Sequence, residues 1–200
     1  LALLAETGAD PTNGIEAVRR LATTGIRICE GQALDIEVER RSEVLPEEDL
    51  EMVELKTAVL YGAAAATAAT LMDADDETVE AVYRYGIDSG RAFQIQDDVL
   101  DLTVPSETLG KQRGSDLVEN KETLITLHAR QQGVDVDGLV DATDVDSVSE
   151  AEVDDAVAAL EAAGSIDYAE SKARELTANA KDHLDVLPDN EARSLLRDIS

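Results

Sequence analysis

Residues 76–102 carry a helical pattern that constrains this chain more than any other stretch. At about 100° per residue, small and apolar side chains fall on one helix face, and the aspartates of a D-D-x-x-D motif continue that face. Because carboxylates are rarely buried unless they are paired or bind metal, this placement predicts a site for a hard cation; the alternative is a merely polar rim. The members of the face are Val79, Tyr83, Gly86, Gly90, Phe93, Gln94, Asp97 and Asp101.

Two glycines on this face predict that another helix approaches closely. Gly86 and Gly90 are each about 1 kcal/mol less favourable than Ala in a helix interior, so they need a packing reason. The chain has four Tyr, one Phe and no Trp, so its core must be built from Ala, Val, Leu and Ile. Such small side chains favour closely packed helices.

The rest of the chain also reads as helical, which predicts an all-α fold in a single α-helical domain, residues 1–200. Residues 133–149 alternate like a strand, but an isolated strand has nothing to pair with, so we interpret them as a loop. Ser149 and Glu152 form a capping-box pattern. The predicted helices are a remnant at 1–7 closed by Gly8, then 14–41, one from Pro46 through 63–69, 124–132, 149–164, one from Ser165 to before Pro188, and one from near Asp189.

The aspartate-rich helix leads into a loop that carries basic residues. Lys111 and Lys121 follow Pro105 and Gly110, with Asp116 between them. The aspartates alone would be a weak signal, because 44 of the 200 residues are acidic. The aspartates, the loop and the lysines together predict a site for a cation and a phosphate group.

Three polar residues elsewhere are further candidates. Gln32 falls within the apolar stripe of the helix predicted at 14–41, and Asp35 lies on its flank; Gln32 is either a hydrogen-bonded core amide or a ligand. Lys56 stands among apolar neighbours beside Thr57. It is either a site residue or a surface lysine whose stem covers apolar side chains.

The charge of the chain limits its partners and its setting. A net charge of −27 makes nucleic acid and anionic membrane surfaces improbable partners, because both require basic patches. Only five of the 17 basic residues are Lys. Dense surface acid with few lysines predicts a protein that stays hydrated in concentrated salt, in the cytoplasm of a halophile; ordinary acidic solubility is the alternative.

The ends of the chain and its single cysteine add two expectations. Cys29 has no partner within the chain for a disulfide, which fits a reducing, cytoplasmic setting, and there is no 18-residue apolar run. The chain starts at Leu1 in what reads as the end of a helix, without an initiator Met. We therefore expect a fragment that lacks N-terminal helices.

The combined motifs resemble one family. F-Q-x-x-D-D-x-x-D at 93–101, G-K-x-x-G-x-D at 110–116 and K-x-T at 121–123 are similar to the second aspartate-rich region of trans-type polyprenyl diphosphate synthases. G-Q-x-L-D at 31–35 and the pair Lys56 and Thr57 occur in the order and spacing of that family. Within it, the chain resembles most the archaeal, haloarchaeal geranylgeranyl diphosphate synthases.

The resemblance implies the C-terminal two-thirds of an isoprenoid synthase-type helical bundle, usually a homodimer. It implies a Mg²⁺-dependent prenyltransferase that condenses isopentenyl diphosphate with an allylic diphosphate to a longer, C20 product, in isoprenoid and membrane lipid biosynthesis. Carried over by position, Asp97 and Asp101 would hold Mg²⁺ with Asp98 in support. Lys56, Lys111 and Lys121 would contact diphosphate oxygens. Lys56, Thr57 and Gln94 would be catalytic, and Gln32, Asp35 and Phe93 would help to bind substrate.

One departure from the family pattern limits this expectation. The family's first aspartate-rich motif and its arginines are not found in residues 1–31, so half of the metal site and most of the isopentenyl diphosphate site are missing. We expect the chain by itself to be inactive. The alternatives are a non-catalytic partner subunit of a heterodimeric synthase, a terpene cyclase of the same fold, and an acidic helical bundle without a site.

The charge density predicts a dependence of stability on salt. Lowering the salt from about 1 M to tens of millimolar KCl should lower the melting temperature, because the Debye length grows from about 3 Å towards 30 Å and leaves the acidic surface unscreened. Thermal unfolding followed by circular dichroism measures the effect. Chloride is the proper anion, since sulfate would also strengthen apolar burial. A melting temperature indifferent to KCl would refute the halophile interpretation.

Overall fold

The computed structural model describes residues 6–38, 41, 44–110, 112–140 and 149–199. Within these ranges the regular structure is helical and contains no strand, which confirms the all-α prediction. The α-helices are α1 (Pro11–Val38), α2 (Pro46–Val53), α3 (Val59–Leu71), α4 (Asp76–Thr103), α5 (Ser106–Leu109), α6 (Ser115–Val118), α7 (Leu124–Gln131), α8 (Glu150–Ala162), α9 (Ser165–His183) and α10 (Glu191–Asp198). A π-helical turn, Glu54–Ala58, joins α2 to α3, and short 3₁₀ turns lie at Val136–Gly138 and Leu184–Val186.

Local signals in the sequence explain most of the helix ends. The Asp10 side chain accepts a hydrogen bond from the Thr12 amide (2.8 Å) just before Pro11 opens α1. Ser149 and Glu152 form the predicted capping box at the start of α8. Gly164 follows α8 with φ of 70°, a left-handed conformation that favours glycine. Asn190 caps α10 through its side chain, one residue beyond the predicted start.

The long helices lie close to their predicted bounds. The helix expected at 76–102 is α4, Asp76–Thr103, and the helix expected at 14–41 is α1, Pro11–Val38. Residues 1–5 of the remnant expected at 1–7 and residues 141–148 of the loop expected at 133–149 fall outside the described residues. The described part of that loop, 133–140, contains a short 3₁₀ turn and no strand. None of the helices in the described ranges is long and apolar enough to cross a membrane.

The chain forms two compact units, the first made of residues 1–35, 51–92 and 174–200. One cluster in this unit joins Ala58, Val59 and Ile87, with Ile28 and Tyr83 packed against them. Another joins Tyr85, Ala180 and Leu184, with Leu187 and Leu196 at its edge. The Tyr85 hydroxyl also donates a hydrogen bond to the Leu196 carbonyl (2.9 Å), which ties α4 to α10.

Close helix approach in this unit occurs where the sequence predicts it. A Cβ atom on Gly86 would lie 2.5 Å from the backbone nitrogen of Gly62, and one on Gly90 would lie 2.8 Å from the Cα atom of Ala58. No real Cβ contact is that short, so α4 can pack at this distance on the π turn and α3 only because both positions are glycine.

The second unit comprises residues 36–50 and 93–173. Its buried side chains come from the last part of α4, from α7 and from α8, and include Ile95, Val99, Leu124, Ile125 and Leu160. Arg113 secures the loop after α4: its Nε–H donates to the Leu102 carbonyl, and its guanidinium pairs with Asp154 of α8 (2.7 Å). Arg113 therefore connects the loop both to the end of α4 and to α8.

The capping box of α8 can be tested directly. Ser149→Ala should lower the free energy of unfolding by about 1 kcal/mol, because the amide of Glu152 loses its acceptor. Ser149→Thr keeps a hydroxyl at the cap and serves as the control. Urea denaturation at constant high salt measures both variants without changing ionic strength. Equal stability of the Ala and Thr variants would contradict the cap.

Candidate active site

The site residues expected from the sequence fall into two groups, one in each compact unit. Gln32, Asp35, Lys56 and Thr57 belong to the first unit. Phe93, Gln94, Asp97, Asp98, Asp101 and Lys121 belong to the second. Lys111 lies outside the described residues, and its expected role stays a prediction.

In the first unit, the Asp35 carboxylate binds polar side chains from two helical segments. Its Oδ2 atom accepts from the Lys56 ammonium (2.6 Å) and from the Gln32 amide (3.0 Å). Gln32 is exposed, so the interpretation of it as a buried core amide is wrong. Lys56 keeps 37% of its side chain exposed while paired. The three residues therefore present one fixed ammonium and one amide at the surface of α1.

Lys56 and Thr57 lie in the π turn, a feature that the sequence pattern did not predict. The Val59 amide donates to the carbonyl of Glu54, five residues earlier. In an α-helix the acceptor is the carbonyl four residues earlier. Such single π turns inside α-helices are rare and occur often at functional sites. Thr57 is half-buried there.

In the second unit, the ammonium of Lys121 sits between two carboxylates. It lies 3.1 Å from Asp98 Oδ1 and 3.0 Å from Asp116 Oδ2. The Gln94 amide donates to the same Asp98 oxygen (3.2 Å). Residues from α4, from α6 and from the segment after α6 therefore meet at one ion-pair network.

Burial and charge act against each other in this network. Burial raises the pKa of Asp98 to about 6, an effect that the Lys121 ammonium opposes and the Asp116 carboxylate reinforces. For Lys121, burial acts to lower the pKa, but attraction by Asp98 and Asp116 outweighs it and raises the pKa above its usual value. By formal charge, the two carboxylates and the one ammonium of this network sum to −1.

Asp97 and Asp101, the two predicted metal ligands, lie in opposite environments. Asp97 is exposed, and its side chain forms no hydrogen bond or ion pair with another described residue. Phe93, one turn earlier, is 57% exposed. Asp101, by contrast, has no exposed surface. Only Asp97 therefore offers its carboxylate to a ligand from solvent.

The buried Asp101 carboxylate holds the loop that follows α4. Its Oδ1 accepts from the Ser115 hydroxyl (2.8 Å), and its Oδ2 accepts from the Asp116 amide (3.1 Å). Its backbone carbonyl accepts from the Gly114 amide (2.8 Å). These bonds satisfy donors at the start of α6. Because Asp101 has no exposed surface, a metal ion could reach its carboxylate only if the surrounding residues moved.

Asp116, which the G-K-x-x-G-x-D motif placed in the predicted cation and phosphate site, pairs with Lys121. One further contributor was not among the expected site residues. Arg91 pairs with Glu54 of the π turn (3.2 Å). Nothing in the periodicity of α4 sets Arg91 apart. Among the described residues, no group of three or more His, Cys, Asp or Glu side chains is arranged to hold a metal ion.

Comparison with known proteins gives a consistent result. The family model described as polyprenyl synthetase matches residues 1–160. The chain belongs to the polyprenyl synthetase family. A geranylfarnesyl diphosphate synthase of Natronomonas pharaonis is 62% identical over 195 residues, 98% of this chain and 56% of that protein. A geranylgeranyl diphosphate synthase of Methanosarcina mazei is 44% identical over 200 residues, 99% of this chain and 60% of that protein.

Solved structures of the polyprenyl synthetase family have the same helical arrangement. A geranylgeranyl pyrophosphate synthetase from the archaeon Geoglobus acetivorans superposes with a TM-score of 0.86 at 35% identity, over 99% of this chain and 60% of that one. The chain thus spans 56% to 60% of the length of these relatives. The resemblance recognised from the aspartate-rich motifs is confirmed.

The stability of Asp101 variants can distinguish a structural role of this residue from a role as a metal ligand. Asp101→Ala should destabilise the metal-free protein by about 1–3 kcal/mol, because it leaves the Ser115 hydroxyl and the Asp116 amide without their buried acceptor. Asp101→Asn retains one acceptor oxygen and should lose less. Urea unfolding in the presence of EDTA provides the measurement. Wild-type stability of Asp101→Ala would exclude the structural role.

Proposed function

We propose that the complete protein is a prenyltransferase that condenses isopentenyl diphosphate with an allylic diphosphate to a longer polyprenyl diphosphate. The observation that carries the proposal is the Lys121 ammonium held between Asp98 and Asp116, with the exposed Asp97 next to Asp98 on α4. Lysines fixed by carboxylates suit an anionic substrate that arrives with cations. The names of the archaeal relatives support the same reaction.

The charge of this network argues for a divalent cation. By formal charge, Lys121, Asp98 and Asp116 sum to −1, and Asp97 adds a further negative charge. A diphosphate would be repelled unless a cation joined it. The donors are all oxygen, and Mg²⁺ in proteins commonly takes one or two carboxylates together with substrate phosphates rather than a complete protein cage.

The residues present fit Mg²⁺ at Asp97. Its exposed carboxylate would hold the ion, and Asp98 would support the site through Lys121. Asp101 would join only if the residues that bury its carboxylate moved. When bound, Mg²⁺ would neutralise negative charge on the departing diphosphate.

The side chains themselves supply the remaining chemistry. Lys56 and Lys121 would contact diphosphate oxygens and stabilise the charge that develops as the allylic C–O bond breaks, and Lys111 would join them. Oxygen dipoles of Thr57 and Gln94 would face the allylic carbocation. Gln32, Asp35 and Phe93 would bound the substrate cavity.

The product is proposed to have 20 or 25 carbons. Relatives are named as geranylgeranyl and as geranylfarnesyl diphosphate synthases, and the Natronomonas pharaonis relative at 62% identity carries the second name. Either product would serve isoprenoid and membrane lipid biosynthesis.

The setting and the assembly follow from surface chemistry. We infer a cytoplasmic, halophilic protein from the net charge of −27 and the scarcity of lysine. We infer a homodimer because α1 exposes Ile15 (71%), Ile26 (61%) and Ile36 (42%), more large apolar side chains than one helix face leaves in water without reason. A second copy would cover them.

Asp97→Ala in the complete protein should lower kcat/KM by about 100-fold or more while leaving the helical content unchanged, because it removes the exposed carboxylate for Mg²⁺. Incorporation of radiolabelled isopentenyl diphosphate at saturating Mg²⁺ measures turnover. Gln96→Ala, at an exposed neighbour on α4, is the matched control. Chain length of the labelled product distinguishes C20 from C25. Wild-type turnover in Asp97→Ala would refute the assignment.

A further inference from the structure

The π turn Glu54–Ala58 lies between two glycines on different helices. On the α1 side, a Cβ atom on the buried Gly31 would lie 2.5 Å from the backbone nitrogen of Lys56 and 2.8 Å from its Cα atom. On the α4 side, a Cβ atom on Gly90 would meet the Cα atom of Ala58 at 2.8 Å. The atoms met are backbone atoms, which cannot rotate aside. Neither position has room for a methyl group.

Backbone conformation does not explain the two glycines. Neither Gly31 nor Gly90 has a positive φ, so both lie in ordinary helical conformations that any residue adopts. Glycine is among the least favourable residues in a helix interior. The contact with the π turn is therefore the physical reason for a glycine at each position.

Charged side chains hold the turn at the same two places. Asp35, one helical turn after Gly31, binds the Lys56 ammonium at 2.6 Å. Arg91, next to Gly90, pairs with Glu54 at 3.2 Å. The position of the ammonium thus depends on how closely the backbone of Lys56 lies against α1, and Gly31 sets that distance.

We propose that Gly31 is a positioning residue for Lys56. Because Gly31 has no Cβ, the π turn lies directly on α1, and the Lys56 ammonium reaches Asp35 in the place where it would meet a diphosphate. Gly90 holds the turn from the opposite side. The diphosphate in this inference rests on the proposed function, whereas the placement of the ammonium does not.

The test uses Gly31→Ala in the complete protein, with Gly25→Ala as the matched control. Gly25 lies on the same helix, and no described atom would lie within 4 Å of a Cβ there. In a crystal structure of Gly31→Ala, we expect the Lys56 Nζ to Asp35 Oδ2 distance to grow from 2.6 Å to beyond about 4 Å. We expect kcat/KM to fall at least about tenfold, and Gly25→Ala to keep both values.

A double-mutant cycle separates positioning from a general loss of structure. If Gly31 acts through Lys56, the alanine at 31 should lower kcat/KM of a Lys56→Ala variant by less than about twofold, because the group it displaces is already absent. Equal losses in the two backgrounds would overturn the proposal. An unchanged Lys56 to Asp35 distance in Gly31→Ala would overturn it too.

Folding failure is also decisive. If circular dichroism shows that Gly31→Ala does not fold, Gly90→Ala serves as the second variant because it displaces the same turn from the other side. The Lys56 Nζ to Asp35 Oδ2 distance is then measured in Gly90→Ala. If neither variant folds, the contact is purely structural and the positioning role is refuted. If the wild type forms no prenyl product but the ion pair opens in Gly31→Ala, the proposed function fails while the placement of Lys56 by Gly31 stands.

Discussion

Close backbone contact at glycines is the constraint on which the first unit depends. The π turn and the start of α3 pack against α1 through Gly31 and against α4 through Gly86 and Gly90. In a chain with five aromatic residues, the core cannot be filled by large rings, so the helices must approach each other instead. Dispersion contacts between backbones then replace those that larger side chains would make. The same close packing carries the π turn that holds Lys56 and Thr57.

Electrostatics organises the second unit in a different way. Asp98 is only 6% exposed, and this burial raises its pKa. Buried charges are stable only when they are paired and hydrogen-bonded. Lys121 pairs with both Asp98 and Asp116. The buried Asp101 carboxylate accepts hydrogen bonds from Ser115 and Asp116 in the loop after α4. Asp97 is left exposed in this arrangement. Two of the five lysines, Lys56 and Lys121, are thus held by carboxylates.

Periodicity and local signals predicted the helices well, because they act within a few residues. The bounds of α4 lie within one residue of expectation, and Ser149 caps α8 as its spacing with Glu152 indicated. The same reasoning failed at Gln32, which shares a helix face with apolar residues yet is exposed. It failed there because helical phase identifies residues on one face but not what covers that face. The π turn was missed because one extra residue in a helix leaves no mark in a pattern as short as Glu54–Ala58.

The all-α class, the positions of the main helices and the motifs of the polyprenyl synthetase family can all be recognised from the amino-acid sequence. The separate roles of the three aspartates of D-D-x-x-D cannot. The folded structure shows that Asp97 faces solvent, that Asp98 pairs with Lys121 and that the buried Asp101 accepts hydrogen bonds from the loop after α4. These roles escape sequence reasoning because the partners of Asp98 and Asp101 in these contacts lie 14 to 23 residues away. Contacts at that separation depend on how the chain turns back, which no local periodicity encodes.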